Sequence, residues 1–407
     1  MLRMLLDHFL PHASQFGFFL HVDRFRASAH LQLPLGHPDR PSPALLCAVY
    51  LWGIHLSQSD PLISYETVFI RRAQQHLATE MSDSVHPGHR MHTIQAHILL
   101  SVYFLRNRQF LKAQFHTNGA VTLALGYRLH KIRSAHPAHP APPLLPVLGA
   151  SAMAGPSLDP PRDDVEEGER IRGFWAVVCH QNSLAMTARM VSDSFGILDS
   201  PGLSIDTPWP LDITEYERGV LPRGARSSDT VQNFIAHGAP GPAPRSARIA
   251  QFSVCLSPLS AYYERGADAR TFALAHALVG AARIQLHNTG ADAGASAGAV
   301  GAARAIIGVF GLGDAHGPDF LCAGPAAGTL LLLACQVVLR EIARTRCFRA
   351  SLGSALNVDV ACDQEEAALL VDLQNGLTTM TLHALNSPLV RAFCFCFSKC
   401  VGVELIW

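Results

Sequence analysis

Apolar residues recur at three- and four-residue spacing along most of the chain, which is the period of an α-helix. A short apolar helix and an aromatic segment fall within residues 1–30. The pattern predicts four further helices, which begin at or near Pro43, Pro61, Met91 and Gln109. Short connections favour antiparallel neighbours, so these four are expected to form two helical hairpins. Gly126 follows the last periodic residue of the fourth helix and is expected to end it.

The second half of the chain repeats the helical pattern between stretches that contain helix-breaking residues. Helices are predicted over residues 247–266, 268–286, 330–344, 364–385 and 388–399. Pro-, Ala- or Gly-rich breakers are predicted over residues 134–161, 236–245 and 290–301, although the alanines of the last could extend a helix. No sustained alternation of apolar and polar residues indicates a sheet.

The predicted fold is therefore all-α, a multi-helical array of antiparallel helical hairpins with Pro/Ala/Gly-rich loops. We expect an N-terminal helical half over residues 1–133 and a linker or loop over 134–161. A C-terminal helical half is expected over residues 162–407.

The helix after the linker has the clearest start signal in the chain. Asp163 can cap it, and Glu166 follows three residues later, as in a capping box. One predicted face, with Trp175 buried on it, consists of Ile171, Trp175, Val178, Asn182 and Ala185. The Pro-Trp-Pro sequence at residues 208–210 cannot be helical, so this part of residues 205–217 is expected to be either an ordered extended loop or a disordered one.

Composition and charge narrow the class of protein. The chain of 407 residues is 49% hydrophobic and 16% charged, which is too apolar for a mostly disordered protein. Lys and Arg together number 32, as do Asp and Glu, so there is no basic excess to hold nucleic acid. Ten scattered cysteines and the lack of a secretory signal favour a reducing compartment inside the cell. The uncharged run at residues 322–339 is read as a buried core helix rather than a membrane span.

Candidate motifs for chemistry are weak. Ser296 lies in a Gly-x-Ser-x-Gly sequence without the preceding strand that a nucleophile elbow needs. The glycines of residues 311–317 have the wrong spacing for a dinucleotide site. The 21 histidines include no His-Glu-x-x-His, and the cysteines at 394, 396 and 400 suit core filling better than tetrahedral ligation. No catalytic or metal site is predicted, and the chain is not expected to be an enzyme.

Two amides and an indole are the remaining candidates for ligand binding. Gln181 and Asn182 lie on or beside the apolar stripe that contains Trp175. The amides could make a satisfied contact between helices, or they could form the polar wall of a small-molecule pocket.

Three segments resemble the regulatory middle region of fungal zinc-cluster transcription factors, in particular basidiomycete members. They are LLDHFLPHASQFGFFLHVDRF at 5–25, RQFLKAQFHTNGAVTLALGYRLHKI at 108–132, and ERIRGFWAVVCHQN at 169–182 with its following loop IDTPWPL at 205–211. The family signature falls on Phe174, Trp175, Ile205, Asp206, Pro208 and Trp209. The resemblance covers roughly residues 1–220. It implies a nuclear protein that controls RNA polymerase II transcription through the transcription machinery or co-regulators, with a possible small-molecule effector and no membrane.

The sequence departs from the family in two respects. Many members carry Leu-Asp-Arg after the Phe-Trp turn, where this chain has His180, Gln181 and Asn182. Such factors also carry six cysteines that bind two zinc ions and place a helix in the DNA major groove. This spacing is absent here, and Met1 already lies at the start of the regulatory region. We therefore expect a truncated gene model, a fragment or a member that lost its DNA-binding domain. DNA binding and zinc are expected only through that missing cluster, with no cofactor in this chain.

Two alternatives remain open from sequence. One is a ligand-sensing or scaffold protein with a helical fold and no transcriptional role. The other is a helical enzyme, which would need polar side chains that only the fold can bring together.

Overall fold

The computed structural model shows an all-α protein with many helices, as the sequence predicts. It describes residues 2–57, 59–80, 86–134, 158–188, 205–219, 269–287, 293–311, 325–352, 359–384 and 387–401. The chain forms two compact units. One comprises Met1–Leu105 and Gln109–Pro240, and the other comprises Arg106–Arg108 and Gly241–Trp407.

The first unit contains helices that precede residues 135–157 in the sequence and helices that follow them. Its helices are α1 (Leu2–Phe9), α2 (Val22–Ala29), α3 (Pro43–Ser57), α4 (Asp60–Ile63), α5 (Glu66–Glu80), α6 (Arg90–Arg106), α7 (Phe110–Gly126), α8 (Asp164–Ala188) and α9 (Ile213–Glu217). Short 3₁₀ segments cover Leu10–Phe16, Pro87–His89 and Leu129–Lys131. The unit thus joins α8 to the N-terminal helices, whereas the sequence interpretation placed α8 in a separate C-terminal half.

The two N-terminal hairpins predicted from the sequence are confirmed. In the first, the Glu80 carboxylate at the end of α5 accepts a bond from the Ala44 amide at the start of α3. At the other end of the same pair, His55 bonds to Glu66 at 2.9 Å, so α3 and α5 are antiparallel. In the second hairpin, Ser101 of α6 donates to the Ala113 carbonyl of α7 at 2.7 Å.

The aromatic segment near the N-terminus packs into the core of this unit. The Phe16 ring stacks on Trp52 with centroids 3.9 Å apart. The Trp52 indole in turn donates to the Leu99 carbonyl at 3.0 Å. Gln95 of α6 accepts from the Phe19 amide at 2.7 Å and donates to the Gly17 carbonyl at 3.1 Å. These bonds satisfy backbone groups that burial would otherwise leave unpaired.

The second unit also consists of consecutive antiparallel helices. They are α10 (Ala269–His287), α11 (Ala293–Gly311), α12 (Pro325–Leu352), α13 (Asp359–Ala384) and α14 (Pro388–Val401). Cys335 of α12 contacts Met380 near the end of α13, and Arg346 near the end of α12 pairs with Glu366 near the start of α13. No helix in the described part of the chain is long and apolar enough to cross a membrane.

One detail of the helix prediction was wrong. The helix expected from Pro61 is divided into α4 and α5, with Ser64 and Tyr65 between them. As expected, α7 ends at Gly126, and the left-handed residue that follows is Arg128, with φ 58°. Of the two interpretations of residues 290–301, the helical one is confirmed from Ala293 onward, where α11 begins. Ser296 therefore lies on a helix.

Some predictions fall on residues outside the described ranges. They are the helix at 247–266, the breaker at 236–245, most of the linker at 134–161, and residues 312–317 of the second Gly-rich motif.

Candidate functional site

The acidic start of α8 makes three attachments to two other segments of the first unit. The capping box is confirmed at its N-terminal side, since the Glu166 amide donates to Asp163 Oδ1 at 2.8 Å. Asp163 also pairs with Arg24 of α2 at 2.8 Å. Glu169 accepts from the His21 amide at 2.7 Å. The carboxylates of this helix start thus fix α8 to the segment around α2.

A bidentate ion pair adds a third attachment. Arg133, from the segment after α7, donates from Nε and Nη2 to the two carboxylate oxygens of Glu167 at 2.5 and 2.9 Å. Both side chains are mostly buried. The Glu167 carboxylate raises the pKa of the Arg133 guanidinium, which therefore stays charged. Paired hydrogen bonds of this geometry are stronger than a single neutral bond.

The buried face of α8 differs from the predicted one. Asn182 is exposed, and Trp175 is only partly buried. Of the predicted face, Ile171 is fully buried, whereas Val178 and Ala185 are partly buried. The other buried residues from position 170 onward are Arg170, Gly173, Phe174, Val177, His180, Gln181, Leu184 and Thr187. Beyond Ile171, the buried face is thus rotated from the predicted one. Phe174 is fully buried, while Gln181 lies on the inner face.

Residues 205–210 dock beside α8 through the residues that follow α7. The Asp206 amide donates to the His130 carbonyl at 2.8 Å, and its carboxylate accepts from Ser134 Oγ at 2.6 Å. Thr207 Oγ1 donates to the Leu129 carbonyl and accepts from the Ile132 amide. Asp206 and Thr207 are fully buried. The loop is therefore an ordered structural element.

The two tryptophans of the resemblance meet at this site. Trp175 Nε1 donates to the Pro208 carbonyl at 2.7 Å. The Trp175 and Trp209 rings stack with centroids 4.7 Å apart and planes inclined by 15°. Trp209 remains 40% exposed. Trp209 therefore exposes its ring to solvent, while Trp175 holds the loop through its hydrogen bond.

Short helix α9 packs against the start of α8 at the same site. The Tyr216 ring is buried in a cluster with Val165 and Ile171. Its hydroxyl accepts from the Leu211 amide at 3.0 Å. The ring lies over Gly168, where an added Cβ would approach Tyr216 closer than 3.0 Å. Glycine at this position is therefore required by the close approach of α9.

The six residues that carry the resemblance lie on α8 and on the loop docked beside it. Phe174 and Trp175 lie on α8, and Asp206, Pro208 and Trp209 lie on the loop docked beside it; partly buried Ile205 begins that loop. Two ligand-binding candidates separate, because Gln181 faces inward with its Oε1 unpartnered in the described part of the chain, whereas Asn182 faces solvent. The contribution of residues 129–134 was not predicted, although the place of residues 129–132 in a resembling segment was a usable signal.

A buried polar cluster lies between α6, α7 and α8. Ser101 Oγ contacts His180 Nε2 at 2.7 Å and Thr117 Oγ1 at 2.8 Å. His97 and His116 approach each other with 3.1 Å between their Nδ1 atoms. A Ser–His contact of this length can activate a nucleophile in a hydrolase. Ser101 is fully buried and bonded within the helix pair, so its hydroxyl cannot meet a substrate in this structure.

Burial determines the charge of these histidines. Removal from water lowers the pKa of His97 to about 4, of His116 to about 3 and of His180 to about 4. The three rings are therefore neutral at pH 7, which lets each ring accept as well as donate hydrogen bonds.

Among the described residues, no group of three His, Cys, Asp or Glu side chains could hold a metal ion. Cys394 is buried, while the side chains of the cysteines at 396 and 400 lie outside the described set. Burial raises the pKa of Cys394 to about 11, so the free thiol is protonated at neutral pH.

Comparisons with known protein families, with curated proteins and with solved structures yield no match to this chain.

Proposed function

We propose that this chain is the regulatory region of a fungal zinc-cluster type transcription factor, which acts in the nucleus through co-regulators and not by reading DNA itself. The observation that carries the proposal is the convergence of the resembling segments on α8. Within residues 5–25, His21 bonds to Glu169 of α8 and Arg24 pairs with its cap residue Asp163. Residues 108–132 end in the segment 129–134, which holds the loop at 205–211.

This convergence supports the proposal because the three segments are far apart in sequence. His21 and Glu169 are separated by 148 positions, and Ser134 and Asp206 by 72. A chance likeness in separate stretches would not require them to share one packed site. In such a domain, α8 and its docked loop would act as a rigid platform, and exposed Trp209 would be available to a protein partner.

An enzymatic function is less well supported. The close Ser–His contact between Ser101 and His180 is buried inside a helix pair. The three neutral histidines of this cluster, His97, His116 and His180, form polar contacts in the core that specify how α6, α7 and α8 pack.

The experiment is a tethering assay in a fungal host. The full chain is fused to a foreign DNA-binding domain and tested on a reporter that carries the cognate sites. We expect reporter output to differ from that of the DNA-binding domain alone, with fusion abundance and nuclear position measured in parallel. Equal output from a folded, nuclear fusion would overturn the proposal.

A further inference from the structure

A cavity of about 340 Å³ lies in the first unit, away from α8. Its walls come from α1, from residues 29–33 at the end of α2 and beyond, and from Arg40 and Tyr50. This volume falls at the lower end of the range for small-molecule sites. None of the residues of the resembling signature lines it.

The polar part of the wall is basic. Arg3, His30 and Arg40 line the cavity, and no acidic side chain does so among the described lining residues. Asp23 and Asp39, which are close in sequence, belong to other contacts. Asp23 lies 3.6 Å from Arg26, and Asp39 lies 3.8 Å from His37.

Arg40 has an incomplete set of hydrogen bonds. One terminal nitrogen donates to the Leu33 carbonyl, but Nε is enclosed and has no partner in the part of the chain that the structure describes. A buried donor without a partner carries an energetic cost. A carboxylate that approached the terminal nitrogens of Arg40 from the cavity would neutralise the guanidinium.

The remainder of the wall is apolar. Leu6 is buried, Leu31 is 41% exposed and Leu33 is partly buried, and all three line the cavity. The Tyr50 ring completes this side. Such a wall favours the hydrocarbon part of a ligand, while a fully hydrated ion such as phosphate would gain nothing from it.

We propose that this cavity binds a small organic anion, specifically a monocarboxylate with a short apolar body, with its carboxylate at Arg40 and Arg3. The site is independent of the proposed transcriptional function, so either can fail without the other.

The test is equilibrium dialysis of the full chain against octanoate at fixed ionic strength. Octanamide, which keeps the body without the charge, and acetate, which keeps the charge without the body, are the ligand controls. Arg40→Gln removes the central donor, and the His89 bond to the Arg40 backbone carbonyl is not altered by it. Arg3→Gln is a second variant at an exposed position, and Arg71→Gln, exposed on α5 and outside the cavity, is the matched control.

We expect saturable binding of one octanoate per chain, with both control ligands weaker. Arg40→Gln should weaken octanoate by about tenfold, the scale of one charged hydrogen bond. Arg3→Gln should weaken it by less, and Arg71→Gln should not change it. If Arg40→Gln unfolds the chain, Arg3→Gln decides the question. Equal affinity for octanoate and octanamide, or equal affinity in the folded cavity variants and in Arg71→Gln, would overturn the proposal.

Discussion

The indole nitrogen of Trp175 donates a 2.7 Å hydrogen bond to the backbone carbonyl of Pro208, which joins α8 to the loop that follows it. The Trp175 ring is partly buried and stacks on Trp209. The family resemblance singles out all three residues, and this bond shows how two distant parts of that signature depend on each other.

Trp175→Phe should remove this hydrogen bond while it retains an aromatic ring against Trp209. We expect a loss of about 1 kcal/mol in the free energy of unfolding, the usual net value of one such bond. Truncation of a fully buried tryptophan to alanine typically costs about 3–5 kcal/mol, but this value does not apply here because Trp175 is not fully buried. Urea denaturation followed by circular dichroism measures the difference. Trp209→Phe is the control, since it keeps the stack and donates no bond to Pro208. An equal loss in both variants would contradict this role of the bond.

Gly168→Ala should destabilise the first unit. The added Cβ would approach the Tyr216 ring closer than 3.0 Å, and α9 would have to shift. Overpacking of this kind costs about 1–3 kcal/mol. Gly126→Ala provides the matched control, because an added Cβ there has no atom within 4 Å and its φ is not positive. Thermal unfolding of the two variants should separate them, and a Gly168→Ala chain as stable as Gly126→Ala would show that α9 does not pack on α8 as described.

The buried histidines should make the chain sensitive to mild acid. Burial lowers the pKa of His180 to about 4, whereas an unfolded histidine titrates near 6.5. The unfolded state therefore binds the proton first, so this contribution to stability is complete above pH 6.5 and is lost as the pH falls towards 4. Each such histidine contributes a slope of up to about 1.4 kcal/mol per pH unit in that window.

His180→Gln should reduce this slope between pH 6.5 and 5, a range above the titration of most carboxylates. His8→Gln, at an exposed position, should leave the slope unchanged. Urea midpoints measured across the pH range provide the comparison. The same slope in wild type, His180→Gln and His8→Gln would mean that His180 is not buried in the neutral form.

The purified chain should not shift duplex DNA at physiological salt. Its 32 basic residues are matched by 32 acidic ones, so few phosphates can be neutralised. An electrophoretic mobility assay with a random duplex library, and with a basic DNA-binding domain as positive control, measures this directly. Recovery of a specific duplex by the unfused chain would contradict the proposal that this chain regulates transcription without binding DNA itself.

Local sequence signals predicted the helices well because proline and capping residues act over a few positions. Pro43 begins α3, and Asp163 with Glu166 begins α8. The Ala/Gly tract of α11 was harder, because glycine weakens a helix in isolation. In the structure, Gly298 packs against the His287 ring of α10, so tertiary contact favours the small residue there.

The buried face of α8 could not be read from its own residues. Both the predicted and the true stripes have helical spacing, and the true one includes polar His180 and Gln181. His180 is accommodated because Ser101, which lies 79 positions away, supplies its hydrogen-bond partner. The docking of Asp206 on residues 130–134 depends on similarly distant groups. A residue's polarity alone gives no sign of such partners.

The most direct test of the central claim is reporter output from the chain tethered to a foreign DNA-binding domain, measured for wild type, Gly168→Ala and Gly126→Ala at equal nuclear abundance. We expect wild type and Gly126→Ala to change the output relative to the DNA-binding domain alone, and we expect Gly168→Ala, in which α9 is displaced from α8, to lose that effect. Wild-type output equal to that of the DNA-binding domain alone would contradict the regulatory function, and full activity in Gly168→Ala would contradict its dependence on the docked site.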